Sequence, residues 1–321
     1  MPQAKGANAQ ILIQEETTFA TDPATPDARK VYISGCSLKL NRALESSDIL
    51  RGNRNPTRPA RGNDDVSGGL STELQAYIGL LLKATLGSVT TTGTGPYTHT
   101  FKVGSSLPSL LIEKGFPDIG QYFKYNGCKV SRLSLSITPS GFQKVDFEFL
   151  GAKETTGSTS FDTTPLDLGK VSFDGFAVGA IEEGGVAIGD VVGIDGLTFE
   201  NDLDGEQYLL GGSGTRVDIP EGTVKVSGTL KARFKDLALY TKAIAGTESS
   251  LRVLFQLGTG DGSSGNESLE IKLPELIYAP NAPVIDGPKG IIVELPFEAY
   301  YEDSTEASAM QIILKNTQAT V

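Results

Sequence analysis

The chain has 321 residues, a formal net charge of −11, and 39% hydrophobic and 21% charged residues, proportions that fit a soluble protein of two domains. No run of about 18 apolar residues occurs, which excludes a membrane-spanning helix, and the acidic balance argues against a protein that grips nucleic acid through a basic face. Abundant Gly, Thr, Ser and Val, with no Trp, favour β-structure with many turns.

The composition of residues 1–30 predicts an N-terminal arm that needs a partner surface. They are polar apart from Ile11-Leu12-Ile13, and Phe19 follows shortly after. The first six residues contain no apolar segment of the kind found in secretory signals, so we expect synthesis in a cytoplasm.

The first predicted strand covers 31–41, and a long polar stretch runs from there to Asp65. A second long polar stretch covers 200–222. Loops of this length inside compact domains are uncommon and usually functional.

A helix is predicted over 72–86. Thr72 and Gln75 have capping-box spacing, and Gly87 is a stop signal, as is Gly246 for a second helix. Alternating apolar residues predict further strands, around 97–103, 133–137, 145–149, 224–232, 269–273 and 293–297, with a closing strand over 310–314. The stretch 152–168 has the composition of a linker, and 171–196 is expected to supply strands or an arm of the second half.

The two halves of the sequence match each other. At a shift of 159 positions, Leu38, Leu40, Leu44, Leu81, Lys83, Ala84 and Gly87 align with Leu197, Phe199, Leu203, Tyr240, Lys242, Ala243 and Gly246. Ser67-Gly68 aligns with Ser227-Gly228 at a shift of 160, and Val145, Phe147 and Phe149 align with Val293, Leu295 and Phe297 at a shift of 148. The fold class that we predict is therefore mainly β: a tandem pair of antiparallel β-barrel or sandwich modules, each with one packed helix and a long loop. The predicted boundaries are 1–30 for the arm, 31–151 for the first module, 152–168 for the linker and 169–321 for the second module.

Charge divides unequally between the halves. Residues 1–160 carry 17 basic and 14 acidic side chains, whereas residues 161–321 carry 11 and 25. This split is compatible with neutral surface drift, and equally with unlike halves that attract each other between neighbouring chains.

Residues able to support catalysis or metal binding are sparse. The single histidine, His99, lies on an apolar strand face and is expected to be structural. Cys36 and Cys128 are expected to be reduced thiols rather than a disulfide. The acidic cluster Asp202, Asp204 and Glu206 lacks the closing glutamate of a calcium loop and is interpreted as solvated. We expect no cofactor, no metal and no enzymatic activity.

Four arginines mark the first long loop: Arg51, Arg54, Arg58 and Arg61. No aromatic residues lie between them to stack on bases, so a protein contact is favoured over a nucleic-acid contact. Together with Ile11 and Phe19, these arginines are our candidates for contacts between subunits or rings.

Two segments carry a resemblance to a known family: Glu15-Glu16-Thr17-Thr18-Phe19-Ala20-Thr21 and the stretch from Lys114 to Val130. With the order strand, long loop, strand, helix, strand, the whole chain resembles a major tail tube protein of a long-tailed bacteriophage. The resemblance implies stacked rings of six β-barrel modules, whose joined inner sheets line a channel for DNA. Loops and arms would tie one ring to the next, and no catalytic residues are implied.

Because the sequence carries two modules, the resemblance predicts a homotrimer that forms a pseudo-hexameric ring. The implied partners are further copies of the chain and other tail proteins, namely the tape measure, tip and terminator proteins. Genomic DNA would pass without specific binding during ejection, and no membrane is involved. The implied location is the virion tail, after assembly in the host cytoplasm.

Two alternatives stay open at this stage. One is a hexamer whose second module decorates the outside of the tube. The other is a non-enzymatic β-sandwich that binds a ligand such as a sugar.

Overall fold

The computed structural model describes residues 3–285 and 287–321, so residues 1–2 of the predicted arm lie outside the described part. The fold is mainly antiparallel β with two short helices, which confirms the predicted fold class. The first half contains β1 (Gln10–Glu15), β2 (Arg29–Val31), β3 (Gly35–Cys36), β4 (Lys39–Glu45), β5 (Ala60–Glu73), α1 (Gly79–Leu86), β6 (Gly87–Thr92), β7 (Tyr97–Val103), β8 (Leu110–Phe116), β9 (Gln121–Ile137), β10 (Lys144–Gly151) and β11 (Lys153–Gly157). The second half contains β12 (Val178–Glu183), β13 (Val186–Ala187), β14 (Val191–Glu200), β15 (Lys225–Arg233), α2 (Ala238–Ala245), β16 (Ser249–Gln256), β17 (Ser268–Tyr278), β18 (Ile292–Tyr300) and β19 (Gln311–Asn316).

Eight strands form one continuous antiparallel sheet that spans both halves. Their order is β4–β5–β10–β9 from the first half, followed by β14–β15–β18–β17 from the second. The halves join where β9 pairs with β14, with Leu133 opposite Phe199 and Leu135 opposite Leu197. We call this arrangement the eight-stranded sheet.

A second layer of strands packs behind each half of this sheet. In the first half its order is β2–β1–β8–β9–β11, and in the second half it is β13–β12–β16–β17–β19. The long strands β9 and β17 therefore belong to both layers, because each pairs with one set of strands near its start and with another near its end. The hairpin β6–β7 extends the second-half layer, since β7 pairs with β19.

The two halves share the same order of pairings. Helices α1 and α2 lie 159 positions apart at both ends. The ion pair between Lys83 and Glu15 (2.5 Å) has a counterpart between Lys242 and Glu183 (2.8 Å). Strands β3 and β4 together correspond to β14, because Gly35 and Cys36 align with Ile194 and Asp195 at the shift of 159 and pair with β5 as those residues pair with β15. Among the described strands, only the hairpin β6–β7 has no counterpart in the second half. The sequence match thus coincides with a match in topology.

Alternation along the strands builds a core between the layers. In β10, Val145, Phe147 and Phe149 are buried while Lys144, Asp146 and Glu148 are exposed, as the period of two requires. The equivalent apolar residues of β18 are also buried, and one cluster of buried side chains extends through both halves. Burial of these aromatic and aliphatic groups is the main stabilising term of the fold.

Three predicted segments differ from the structure. The helix begins at Gly79 rather than at Thr72, because β5 continues to Glu73 and Thr72 pairs with Val145. The predicted strand over 31–41 is divided into β2, β3 and β4, since the chain changes partners between β1 and β5. The predicted linker begins with β11, which pairs with β9. The seven strands predicted after the helix overlap β7, β9, β10, β15, β17, β18 and β19, whereas β8 and β16 were not predicted. Gly87 and Gly246 end their helices with positive φ values of 93° and 59°.

His99 joins the first half to the last strand of the chain. It is fully buried, and its ring nitrogens hydrogen-bond with Thr91 Oγ1 (2.8 Å), Asn316 Oδ1 (3.1 Å) and the carbonyl of Gln318 (3.0 Å). Burial lowers the pKa of His99 below its usual value, although the hydrogen bonds that its ring donates to Asn316 and Gln318 oppose this shift. His99 therefore has a structural role in holding β7 against β19.

This burial predicts a pH dependence of stability. Below about pH 6.5 the unfolded chain binds a proton at His99 that the folded chain does not, so the contribution of His99 is fully present above that pH and is lost as the pH falls. We expect the free energy of unfolding to fall less between pH 7 and pH 5.5 in His99→Gln than in the parent protein, as measured by urea denaturation. Equal slopes in the two proteins would contradict this account.

Gly68 of β5 allows the backbone of Ser37 and Leu38 to approach β5 closely. Its φ is +140°, and a Cβ at this position would lie 2.6 Å from Leu38 Cα and from the carbonyl oxygen of Ser37. Since both atoms are backbone, we expect Gly68→Ala to lower the free energy of unfolding by more than about 2 kcal/mol. The control is Gly189→Ala, where a Cβ would meet nothing within 4 Å. Denaturation curves that coincide for the two variants would refute the prediction.

Candidate assembly surfaces

The outward face of the eight-stranded sheet is lined by small polar residues. Cross-strand partners share a face, so the side chains of Ser67, Ser71, Ser134, Ser136, Ser227 and Thr229 lie on the face opposite the core. The acidic side chains on this face are Asp65, Glu73, Asp146, Glu148, Asp195, Glu200, Glu294 and Glu298, and the basic ones are Lys39, Arg132, Lys144, Lys225, Lys231 and Arg233. The surface is therefore smooth, polar and slightly acidic.

Several basic groups on this face are already paired with carboxylates. Lys231 lies 2.6 Å from Asp195 and 3.0 Å from Glu294, and these contacts raise its pKa. Arg132 of β9 lies 3.5 Å from Glu200 of β14, across the junction between the halves. Pairing reduces the positive charge that this face would offer to a polyanion.

The long loop 201–224 of the second half lies against the first half, and we call it the second-half loop. Arg216 is its anchor: the guanidinium is 5% exposed and donates to the carbonyl oxygens of Gly205 (2.6 Å), Gly151 (2.7 Å) and Val66 (3.3 Å), and it pairs with Asp65 (2.5 Å). A planar group with five donors suits this set of acceptors. The loop is thereby fixed across the ends of β5 and β10.

A second contact of this loop centres on Lys129 of β9. Its ammonium group lies 2.9 Å from Glu221 and 3.8 Å from Asp218, and it donates to the carbonyl of Ile219. Burial opposes ionisation of Glu221, but hydrogen bonds from Lys129 and from the amide of Leu107 lower its pKa. The second-half loop thus brings two carboxylates to one buried base.

Asn201 completes the attachment. Its side-chain amide donates to the carbonyl oxygens of Thr85, near the end of α1, and of Val130, in β9. Seven of the eight residues of α1 are buried, whereas only Ala243 is buried in α2. Helix α1 is therefore largely buried and α2 is largely exposed, although the two helices correspond in position.

The first long loop and the start of β5, residues 46–61, are exposed along nearly their whole length, and together we call them the first-half loop. Arg51 donates to the carbonyls of Asn55 and Pro56 within the same loop, and Arg54 and Arg58 are exposed. Arg61, at the start of β5, is exposed too, but donates to the carbonyl of Ser213 in the second-half loop and lies 3.5 Å from Asp64. Ile49 and Leu50 are 74% and 97% exposed. The exposure of these arginine and apolar side chains leaves the first-half loop available for contact with another chain.

The arm finds its partner surface within its own chain. Ile11 is buried in the core, because β1 pairs with β8 and β2. Phe19 is half-buried and lies close to Gly127, and Lys129 Nζ lies 5.9 Å from the centre of its ring. Ile11 is therefore less suited than the first-half loop to contacts between subunits.

Glu16 fixes the arm beyond β1. Its buried carboxylate accepts hydrogen bonds from Ser109, Asn126 and the amides of Gly127 and Ala20. Burial raises the pKa of Glu16 above its usual value, although these hydrogen bonds oppose the shift.

Cys36 and Cys128 are free thiols, and burial raises the pKa of Cys128. Within residues 3–285 and 287–321, no group of three or more His, Cys, Asp or Glu side chains is placed to hold a metal ion. In the same part of the chain, no helix is long and apolar enough to cross a membrane.

Sequence reasoning missed Arg216, Lys129 and Asn201. Arg216 had a usable signal, because it is the only basic residue in the stretch 200–222, which contains six acidic residues. Lys129 and Asn201 had no such signal in the sequence, since their contacts join segments about 70 to 120 residues apart.

Similarity to known proteins is found at the level of the family. A family model described as phage tail tube protein matches residues 6–299, which is nearly the whole chain. Among solved structures, one match is a chain of the anti-feeding prophage baseplate, determined by cryo-EM with six-fold symmetry imposed. It has 13% identity and a TM-score of 0.29, and the match covers 49% of this chain and 97% of that chain. No curated protein matches the chain.

Removal of the Arg216 guanidinium tests the attachment of the second-half loop. Arg216→Met leaves three backbone carbonyls without their donor, so we expect the free energy of unfolding to fall by about 2–4 kcal/mol. The control is Arg233→Met, since that exposed arginine pairs only with Asp190 at the surface, and its loss should cost about 1 kcal/mol or less. Urea denaturation of the two variants measures the difference, and equal losses would contradict the anchoring role.

Proposed function

This chain belongs to the phage tail tube protein family, and from that membership we propose that it builds the tail tube as stacked rings around a channel for DNA. It is a structural component of the virion tail. We propose further that the chain acts without catalysis or cofactor, and that it assembles in the host cytoplasm. Its partners would be further copies of itself and the tape measure, tip and terminator proteins.

The eight-stranded sheet is the observation that carries this proposal. Each half contributes four strands in the same order, and the two sets are already joined edge to edge by the pairing of β9 with β14. We interpret the halves as two copies of one tube module. Three chains would then supply six modules, and their joined sheets would form a closed barrel of twenty-four strands with pseudo-six-fold symmetry.

Ring closure requires the same junction between chains. The free edges of the eight-stranded sheet are β4 at one end and the continuation of β17 at the other. At a shift of 148, Val130 of β9 corresponds to Tyr278, so residues 279–285 correspond to the part of β9 that pairs with β14. Val284 and Ile285 are 67% and 76% exposed in this segment. We propose that it lies along β4 of the next chain.

The polar face of the eight-stranded sheet would line the channel. Serine and threonine side chains offer little volume to obstruct a duplex, and the excess of carboxylates would repel phosphates. Basic side chains that are paired with carboxylates add little attraction. DNA would therefore slide along this surface without specific binding.

Electron microscopy of the purified protein at high concentration tests the proposal. We expect hollow rings or tubes in which six lobes of two alternating kinds come from three chains. Mass measurement of the rings separates the two ring types, because six chains per ring would instead support a hexamer with a decorating second domain. Monomers alone, at concentrations where other tube proteins assemble, would count against self-assembly and favour a binding module.

A further inference from the structure

The surface around α2 lacks the cover that α1 has. Ile244 of α2 corresponds to Thr85 of α1 at a shift of 159, and Ile277 corresponds to Lys129 at a shift of 148. Thr85 and Lys129 are buried beneath the second-half loop, whereas Ile244 and Ile277 are 63% and 40% exposed. Leu237, just before α2, is 58% exposed. The described part of the chain supplies no segment that covers these side chains as the second-half loop covers α1.

The first-half loop has the complementary chemistry. At the shift of 160 that aligns Val66 with Val226, the two carboxylates that meet Lys129 align with arginines: Asp218 with Arg58, and Glu221 with Arg61. The first-half loop therefore carries positive charge at the two positions where the second-half loop carries negative charge.

The charge of the surface around α2 also differs from that of the surface around α1. The place of Lys129 is taken by Ile277, and Leu150, its partner on β10, is replaced by Glu298 on β18. Glu248 follows α2 and lies next to this pair, because Ser249 pairs with Leu276 and Tyr300 donates to the Glu248 carboxylate at 2.6 Å. An arginine placed where Glu221 sits in the first half would thus lie close to two carboxylates.

We propose that the first-half loop of one chain docks on the α2 surface of a second copy, with Arg58 and Arg61 against Glu248 and Glu298. Ile49 and Leu50 would contribute apolar contacts alongside Ile244 and Ile277. This inference rests on the proposed ring, because it assumes that the contact seen within one chain is repeated between chains.

The docking assigns different roles to the four arginines. Arg51 and Arg54 align with Leu210 and Ser213 at a shift of 159, and those residues lie at the exposed tip of the second-half loop. They are therefore expected to remain outside the contact. This difference provides a matched control with the same residue type, the same loop and the same change of charge.

Cysteine cross-linking tests the contact directly. Arg61→Cys and Ile277→Cys are introduced into separate chains that also carry Cys36→Ser, and the two proteins are mixed at assembly concentration and treated with a short bifunctional maleimide, because the equivalent Lys129–Glu221 contact joins the ends of two long side chains. We expect cross-linked dimers to form at least tenfold faster than in a control mixture with Arg54→Cys in place of Arg61→Cys. A rate no greater than that of the control overturns the docking, whether or not rings are visible.

The same cysteines separate this inference from the proposed trimer. A chain that carries both cysteines should give a ladder of cross-linked species that ends at three chains. A ladder that ends at six chains supports the docking but overturns the trimer. Intact three-chain rings that do not cross-link overturn the docking and leave the proposed function standing.

Charge reversal supplies a second measurement. Arg58→Glu with Arg61→Glu should raise the concentration needed for assembly by about tenfold or more, and Glu248→Lys with Glu298→Lys in the same chain should restore assembly. Arg51→Glu with Arg54→Glu should change it by less than about threefold. Thermal melting checks that each variant is folded, because Arg61 also contacts Ser213. Failure of the second pair to restore assembly contradicts the proposed partners.

Discussion

The pairing of β9 with β14 is the interaction on which the rest of the structure depends. An unpaired sheet edge exposes backbone donors and acceptors that will pair with any available strand. By joining two four-stranded sheets inside one chain, this pairing satisfies one edge of each and leaves only the outer edges, at β4 and after β17. Those two edges differ, so any contact between them is head-to-tail and generates a ring or an open helix. In the proposed ring, the intramolecular junction would therefore set the geometry of assembly before a second chain arrives.

Charge adds direction to this geometry. The second-half loop carries Asp218 and Glu221 and meets Lys129 within its own chain, where the effective concentration is high. Placed on the α2 surface, the same carboxylates would face Glu248 and Glu298, and like charges in contact are unfavourable. In the proposed docking, each loop would thus fit one surface and be repelled by the other. This selectivity would give the unequal charge of the two halves a physical role in alternating the modules.

The sequence predicted the features that depend on local patterns. Alternation located β7, β10, β15 and β18 and parts of β9 and β17, but β8 and β16 were missed. Gly87 and Gly246 located the ends of the helices, because only a residue without Cβ adopts positive φ there at little cost. The predicted start of α1 was wrong because the Thr72–Gln75 spacing is a local signal for a helix. The pairing of Thr72 with Val145, which extends β5 instead, joins segments far apart in the sequence.

The candidate site was predicted less well than the fold. The arginines of the first-half loop were identified from their density, but the surface that they face depends on how α2, β17 and β18 come together. The isoleucines of the arm were interpreted as needing a partner, and that partner, β8, lies about 100 residues further along the same chain. Contacts between distant segments leave no periodicity in a single sequence, so Arg216 and Lys129 became visible only in the fold.

The correspondence of the halves is incomplete, and the difference has consequences for symmetry. The hairpin β6–β7 is inserted only in the first half, yet β7 extends the second-half layer by pairing with β19. His99 and Asn316 hold this pairing, and Asn316 also donates to the carbonyl of Ala76 just before α1. The last strand of the chain is thereby fixed by its first half, so neither half is closed without the other. In the ring proposed for three chains, the two unlike modules of each chain would therefore alternate, and the ring would have three-fold symmetry with only an approximate six-fold arrangement of modules.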